Sequence, residues 1–245
     1  MKRFIQAHGF HRKLEGWPII FTVLTVLAIL VGTVIELTPI LLVPAEVEHL
    51  EDFQPPTPLE LAGRDLYIAE GCNNCHSQMV RPFRQEVERY GPYSRAEETI
   101  YETPFLWGSK RTGPDLARVG GKYPHLWHVR HMENPRSTSP NSIMPPYDHM
   151  MRNPLRIDNL PAKLSALRAV GLPYTDEQIA NAVADAEAQA AEIAAEVASQ
   201  GGPQGIEDNQ IVAMVAYLQS LGVAAKATFD DSPSSASATT AALAE

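Results

Sequence analysis

The chain has 245 residues, 44% of them hydrophobic, and a formal charge of −9 from 20 Lys+Arg against 29 Asp+Glu. That length suits one domain of ordinary size with an attached segment, or two small ones. The acidic balance excludes nucleic acid as a natural partner, because a phosphate backbone is repelled, and the only two cysteines, Cys72 and Cys75, cannot build a disulfide framework.

Residues 1–17 hold Lys2, Arg3, Arg12 and Lys13 against Glu15 alone. Ile19 to Ile35 then runs without a charge, and apolar character resumes after Glu36 up to Val43. A helix needs about 20 residues to cross the hydrocarbon core, so 18–43 is predicted to be an uncleaved membrane anchor with Glu36 near the far interface. The stretch exceeds the 7–15 residues typical of a signal-peptide core. Basic flanks stay in the cytoplasm, so the rest of the chain is expected outside it. Beyond Val43, 16 basic residues face 27 acidic ones, a net −11 that would attract a basic soluble protein.

Residues 44–58 are acidic and proline-rich and read as an extended spacer. Leu59 to Glu70 has helical composition and stops at Gly71. Arg81 to Thr112 shows no periodicity and is expected to be an irregular wrap. Pro124 to Met132 reads as a short helix with Pro124 at its first position, stopped by Asn134-Pro135. Arg136 to Asn159 is loop-rich, and Pro161 to Val170 forms a helix closed by Gly171. Thr175-Asp-Glu-Gln178 is a capping box opening a long Ala-rich helix with Ile179, Val183, Ala186, Ala190, Ile193 and Val197 on one seam. A last helix covers about Asp208 to Leu221, and the Ser/Ala/Thr-rich tail, 223–245, reads as disordered. No repeat and no convincing strand is present, so 59–222 is expected to be one mainly α domain.

Cys72-Asn73-Asn74-Cys75-His76 is the C-x-x-C-H signature of covalent haem attachment. Two thiols about one helical turn apart can add to the vinyl groups along one porphyrin edge, and the following imidazole reaches the iron. The expected cofactor is therefore one covalently bound haem c, with His76 as an axial ligand. A thioredoxin-like pair wants a βαβ context that is missing here. A zinc site needs two further ligands, which His125, His128 and His131 would have to supply across a long separation. A simple disulfide is the remaining alternative.

For the sixth ligand, Met79 is too close to His76 to reach the opposite ring face, and Met214 reads as core. Met150 and Met151 lack supporting context. Met144, in Ser-Ile-Met-Pro-Pro, sits on a stiff segment that loses little entropy on binding, and it leads, with His128 and His149 as rivals. Gly113-Pro114-Asp115-Leu116 is a turn whose carbonyls are candidates to accept the Nδ1 proton of His76. Lys110, Arg111, Arg118 and Lys122 form a basic cluster suited either to haem propionates or to solvent.

The runs G-C-N-N-C-H-S-Q-M-V-R-P-F (Gly71 to Phe83), Y-G-P-Y-S (Tyr90 to Ser94), F-L-W-G-S-K-R-T-G-P-D-L-A-R-V-G (Phe105 to Gly120) and N-S-I-M-P-P-Y (Asn141 to Tyr147) closely resemble the mono-haem subunit II of cbb3-type cytochrome c oxidases. The resemblance implies an all-helical cytochrome c fold, thioether links at Cys72 and Cys75, axial His76 and Met144, and Pro114 as the carbonyl facing His76. It implies a single-pass subunit of the bacterial inner membrane with its haem domain on the periplasmic side. That subunit would relay electrons from a di-haem cytochrome c subunit or a soluble cytochrome c donor to the haem–copper catalytic subunit, which reduces oxygen, and would have no catalytic site of its own. The cytochrome subunit of a nitric oxide reductase shares the anchor plus C-x-x-C-H plan, but the longer runs favour the oxidase. An anchored haem sensor needs an open iron position, against which Pro-flanked Met144 argues.

Overall fold

The computed structural model describes residues 9, 11–42, 53–102, 104–108 and 110–223. The acidic part of the expected spacer, from Glu46 to Asp52, and the tail from 224 onward lie outside the described residues. The chain divides into two units, residues 1–48 and 49–245.

In the first unit, helix α1 (Pro18–Leu42) has 25 residues. Its segment Pro18–Thr38 is the one helix, among the described residues, long and apolar enough to cross a membrane, with mean hydropathy 2.6. At about 1.5 Å per residue, such a helix exceeds a hydrocarbon core of about 30 Å. Its threonines suit an apolar solvent. Thr22, Thr25, Thr33 and Thr38 each donate their hydroxyl to the carbonyl four residues back, at 2.6–2.9 Å. No hydroxyl therefore needs water.

The second unit is mainly helical. Helix α2 (Pro58–Ala69) opens on a full capping box: the Thr57 hydroxyl accepts from Glu60 N, and Glu60 accepts from Thr57 N. Residues 53–57, expected at the end of a free spacer, are held against the unit. Phe53 stacks on Tyr101 at 5.2 Å, and the Tyr174 hydroxyl donates to Pro56 O. The Arg81–Thr112 stretch contains helix α3 (Arg84–Tyr90) and a 3-10 turn, Ala96–Thr99. Aperiodic composition hid α3, because its first turn is tied by charge: the buried Glu86 carboxylate accepts from Arg81 N and pairs with Arg81 and Arg111.

Helix α4 (His125–Glu133) begins one residue later than expected, with Pro124 as its cap, and Asn134 ends it and caps the single turn α5 (Pro135–Thr138). A 3-10 turn, Asp148–Met151, interrupts the loop that follows. Helices α6 (Leu160–Ala169), α7 (Asp176–Ser199) and α8 (Gln210–Ser220) complete the unit. Among the described residues the only bridge of β type joins Pro154 and Asn209. The seam of α7 runs through Ala182, Ala186, Ala190, Ile193 and Val197, all buried, with Val183 at its margin.

The central packing is α2 on α8. A Cβ on Gly63 would stand 1.9 Å from Ala213 O and 2.8 Å from Tyr217 Cβ, so only glycine permits this approach. Helices α4 and α7 also pack against α8, and residues 211–218 of α8 are all buried. The turn carrying Cys72 leaves directly from the end of α2.

Candidate functional site

The cysteines sit on a compact 3-10 turn, Cys72–Asn74. Asn74 N bonds Gly71 O, and both Cys75 N and His76 N bond Cys72 O at 3.1 and 2.9 Å, so the motif coils in one turn. Cys72 is buried, Cys75 is exposed, and both thiols are free. Burial, with Glu70 adding repulsion, pushes the Cys72 thiol up to about 12.

Both cysteines and His76 line a cavity of about 740 Å³, within the range that encloses a cofactor-sized ligand. The His76 Nδ1 donates to Pro114 O at 2.8 Å, since a carbonyl can only accept. The remaining ring nitrogen, Nε2, is thereby a lone-pair donor suited to a metal. Burial lowers the His76 pKa below its usual 6.5, and the Pro114 carbonyl and Asp115 oppose that shift. Gly113 is pressed against the ring: a Cβ there would lie 2.3 Å from His76 Cε1.

A network of side chains holds the 113–117 segment beside the motif. Asp115 accepts from Ser77 Oγ at 2.6 Å, from Met79 N at 3.0 Å and from Ala117 N at 2.9 Å. Gly113 N and Leu116 N bond Cys75 O and Ser77 O. Arg111 donates to Ser77 Oγ and Met79 O and pairs with Glu86 at 2.8 Å. Those bonds, with Arg81, hold the Glu86 carboxyl down at about 2. Sequence reasoning missed Ser77 and the side chain of Asp115, because partners 34 to 38 residues apart leave no local pattern, and it missed Glu86, whose partner Arg111 lies across an aperiodic stretch.

Met144 is half-buried and lines the same cavity, on a loop tied back to α4 by Tyr147 N to Met132 O at 2.7 Å. Met150 and Met214 are fully buried in the core and, like Met79 and Met151, do not line the cavity. His149 is also elsewhere, its Nε2 paired with Glu70 at 2.9 Å. His128 does line the cavity and is almost wholly buried. The basic cluster divides. Arg111 is spent on Glu86 and Asp115, and Arg118 on Glu98 and the carbonyls of Pro92 and Tyr93. Lys122 lies over the Tyr123 ring at the cavity wall.

The donor set fits a haem. One cavity gathers two free thiols, an imidazole oriented through Nδ1, a thioether and a lining more apolar than polar. Among the described residues no group of three or more His, Cys, Asp or Glu is arranged to hold a metal ion by itself.

Comparison with known families matches residues 11–225 to a family described as the cytochrome c oxidase mono-heme subunit, FixO. A search of curated proteins finds no match.

Proposed function

The chain belongs to the FixO family of mono-haem cytochrome c oxidase subunits, and from that premise we propose that it holds one covalent haem c and relays electrons to the haem–copper subunit of a cbb3-type oxidase. In this reading Cys72 and Cys75 would hold the haem through thioether links and His76 and Met144 would ligate its iron. A bound haem supplies a one-electron iron couple, and the chain does the rest. Pro114 O fixes the tautomer and tilt of His76 by accepting its Nδ1 proton, as the hydrogen-bond partners of metal-bound histidines do. A methionine sulfur in place of a second histidine raises the reduction potential. The thioether links retain the cofactor through reduction and oxidation, and the chain itself carries out no oxygen chemistry.

Residues 1–17 are assigned to the cytoplasm, 18–43 to the anchor, 44–58 to the linker, 59–222 to the haem domain and 223–245 to a tail. The basic N-terminal flank supports a periplasmic haem domain on the bacterial inner membrane. A di-haem subunit or a soluble cytochrome c is the electron donor. The family favours the oxidase over a nitric oxide reductase or a haem sensor. The observation that carries the reading is the shared cavity of Cys72, Cys75, His76 and Met144, with His76 oriented by Pro114.

The test is a pyridine haemochrome assay on this chain separated from the purified membrane complex. One c-type haem, co-purifying with b-type haem and oxygen consumption, is expected. A chain without covalent haem would return Cys72 and Cys75 to the disulfide or zinc alternatives.

A further inference from the structure

Helix α4 carries three histidines at three-residue spacing, and their surroundings differ. His125 pairs with Glu196 at 3.0 Å, and His131, which also lines the cavity, bonds the Thr138 hydroxyl through Nδ1 at 2.6 Å. His128 is only 2% exposed, lines the cavity shared by Cys72, His76 and Met144, and its Nε2 has no hydrogen-bond partner in the protein. Its ring is wedged edge-on against Trp127 at 5.3 Å and Tyr123 at 6.2 Å, both also in the cavity wall. A buried polar nitrogen of this kind calls for an explanation, since nearly all such groups are paired in folded proteins.

The chemistry of the cavity's occupant supplies one. A haem is apolar around its rim except for two carboxylates. With its iron ligated by His76 and Met144, those carboxylates are its only strong hydrogen-bond acceptors. We propose that His128 donates a hydrogen bond from Nε2 to one haem carboxylate and so positions the buried edge of the cofactor. The inference rests on the haem reading of the cavity.

Two further observations agree with it. Burial, with repulsion from His125 and His131, lowers the His128 pKa to about 4, so the ring is neutral at pH 7 and acts as a neutral donor, with no buried cation to stabilise. Arg111 and Arg118, two of the four cations of the basic cluster, already serve Glu86, Asp115 and Glu98, so a further donor has a task left to perform. A donor drawn onto the carboxylate also weakens that carboxylate's stabilisation of ferric iron, and hydrogen bonding around a haem is an established lever on its potential.

The experiment compares the parent, His128→Phe and His128→Gln in the purified haem-loaded oxidase complex. The readouts are the haemochrome assay, the sulfur–iron absorption band, the propionate bending mode in the resonance Raman spectrum and the midpoint potential. His128→Phe keeps a ring and removes the donor, and His128→Leu replaces it if that complex does not assemble. The expected result is intact covalent haem and an intact sulfur–iron band in every variant. The propionate mode shifts and the potential falls in His128→Phe, and the amide donor of His128→Gln restores the mode. An unmoved propionate mode in His128→Phe, with haem content normal, overturns the proposal. Loss of the sulfur–iron band overturns it too, because His128 would then act at the iron. A parent chain without covalent haem is a distinct outcome, which removes the haem reading and this inference together.

Discussion

Met144 lies on a proline-flanked loop and half-faces the cavity, whereas Met150 and Met214 are sealed in the core. Met144→Ala is therefore expected to abolish the sulfur–iron band and lower the potential while the thioether links keep the haem on the chain. Absorption spectroscopy with redox titration checks this, and a retained band would assign the ligand elsewhere. Gly113 stands where a side chain would strike the imidazole, with Cβ 2.8 Å from both ring nitrogens. Gly113→Ala is expected to cost about 1–3 kcal/mol, as overpacking does, and to weaken the bond between His76 and Pro114. Denaturant titration of the haem-loaded chain measures the cost.

Glu86 gives a pH dependence. Arg111 first, and then Arg81, hold its carboxyl at about 2 against an ordinary 4.5. A depressed folded-state pKa contributes stability that is complete above the unfolded value and is lost as pH falls through the folded one. Glu86→Gln is thus expected to be less stable than the parent at pH 7, with the gap closing between pH 4.5 and about 2. Denaturation midpoints across that window decide the matter, and a constant gap would show that the carboxylate charge contributes nothing.

At the scale of elements, α2 and α8 form the crossing on which the motif turn is mounted, because Cys72 follows α2 immediately. Their approach depends on Gly63, an otherwise unfavourable residue inside a helix. Gly63→Ala places a methyl group against the Ala213 carbonyl, so the helix-propensity gain of about 1 kcal/mol is outweighed by forced separation. The expected outcome is a lower melting temperature and reduced haem retention, read by thermal denaturation followed at the haem band. The same crossing carries a buried polar contact: Gln78 and Tyr217 exchange hydrogen bonds at 3.0 and 3.1 Å, linking the loop after His76 to α8.

For the molecule as a whole, residues 1–48 and 49–245 form separate units, and the described core belongs to the second. Removing residues 1–42 from an exported form is expected to release a chain that still takes covalent haem and shows the parent spectrum, but no longer sediments with membranes. Loss of covalent haem in that form would mean that the anchor contributes to maturation of the site. If the proposed donor is a basic protein, the acidic balance beyond Val43 is expected to make its association slow as ionic strength rises.

The sequence by itself determined what rests on short spacing. The apolar run of α1, the capping box at Thr175 and the turn of Cys72 to His76 all depend on contacts within about four residues, where one covalent path allows few geometries. Residue runs were also enough to point to the family. Only the tertiary structure decided which methionines and histidines line the cavity, because Met144, Met150 and Met214 differ less in local sequence than in where the chain carries them. The same holds for Asp115, Arg111 and Glu86 around the His76 loop, and for the unpaired nitrogen of His128. Those partners meet across long separations, and the packing of α2, α4 and α8, which local propensity does not encode, brings them together.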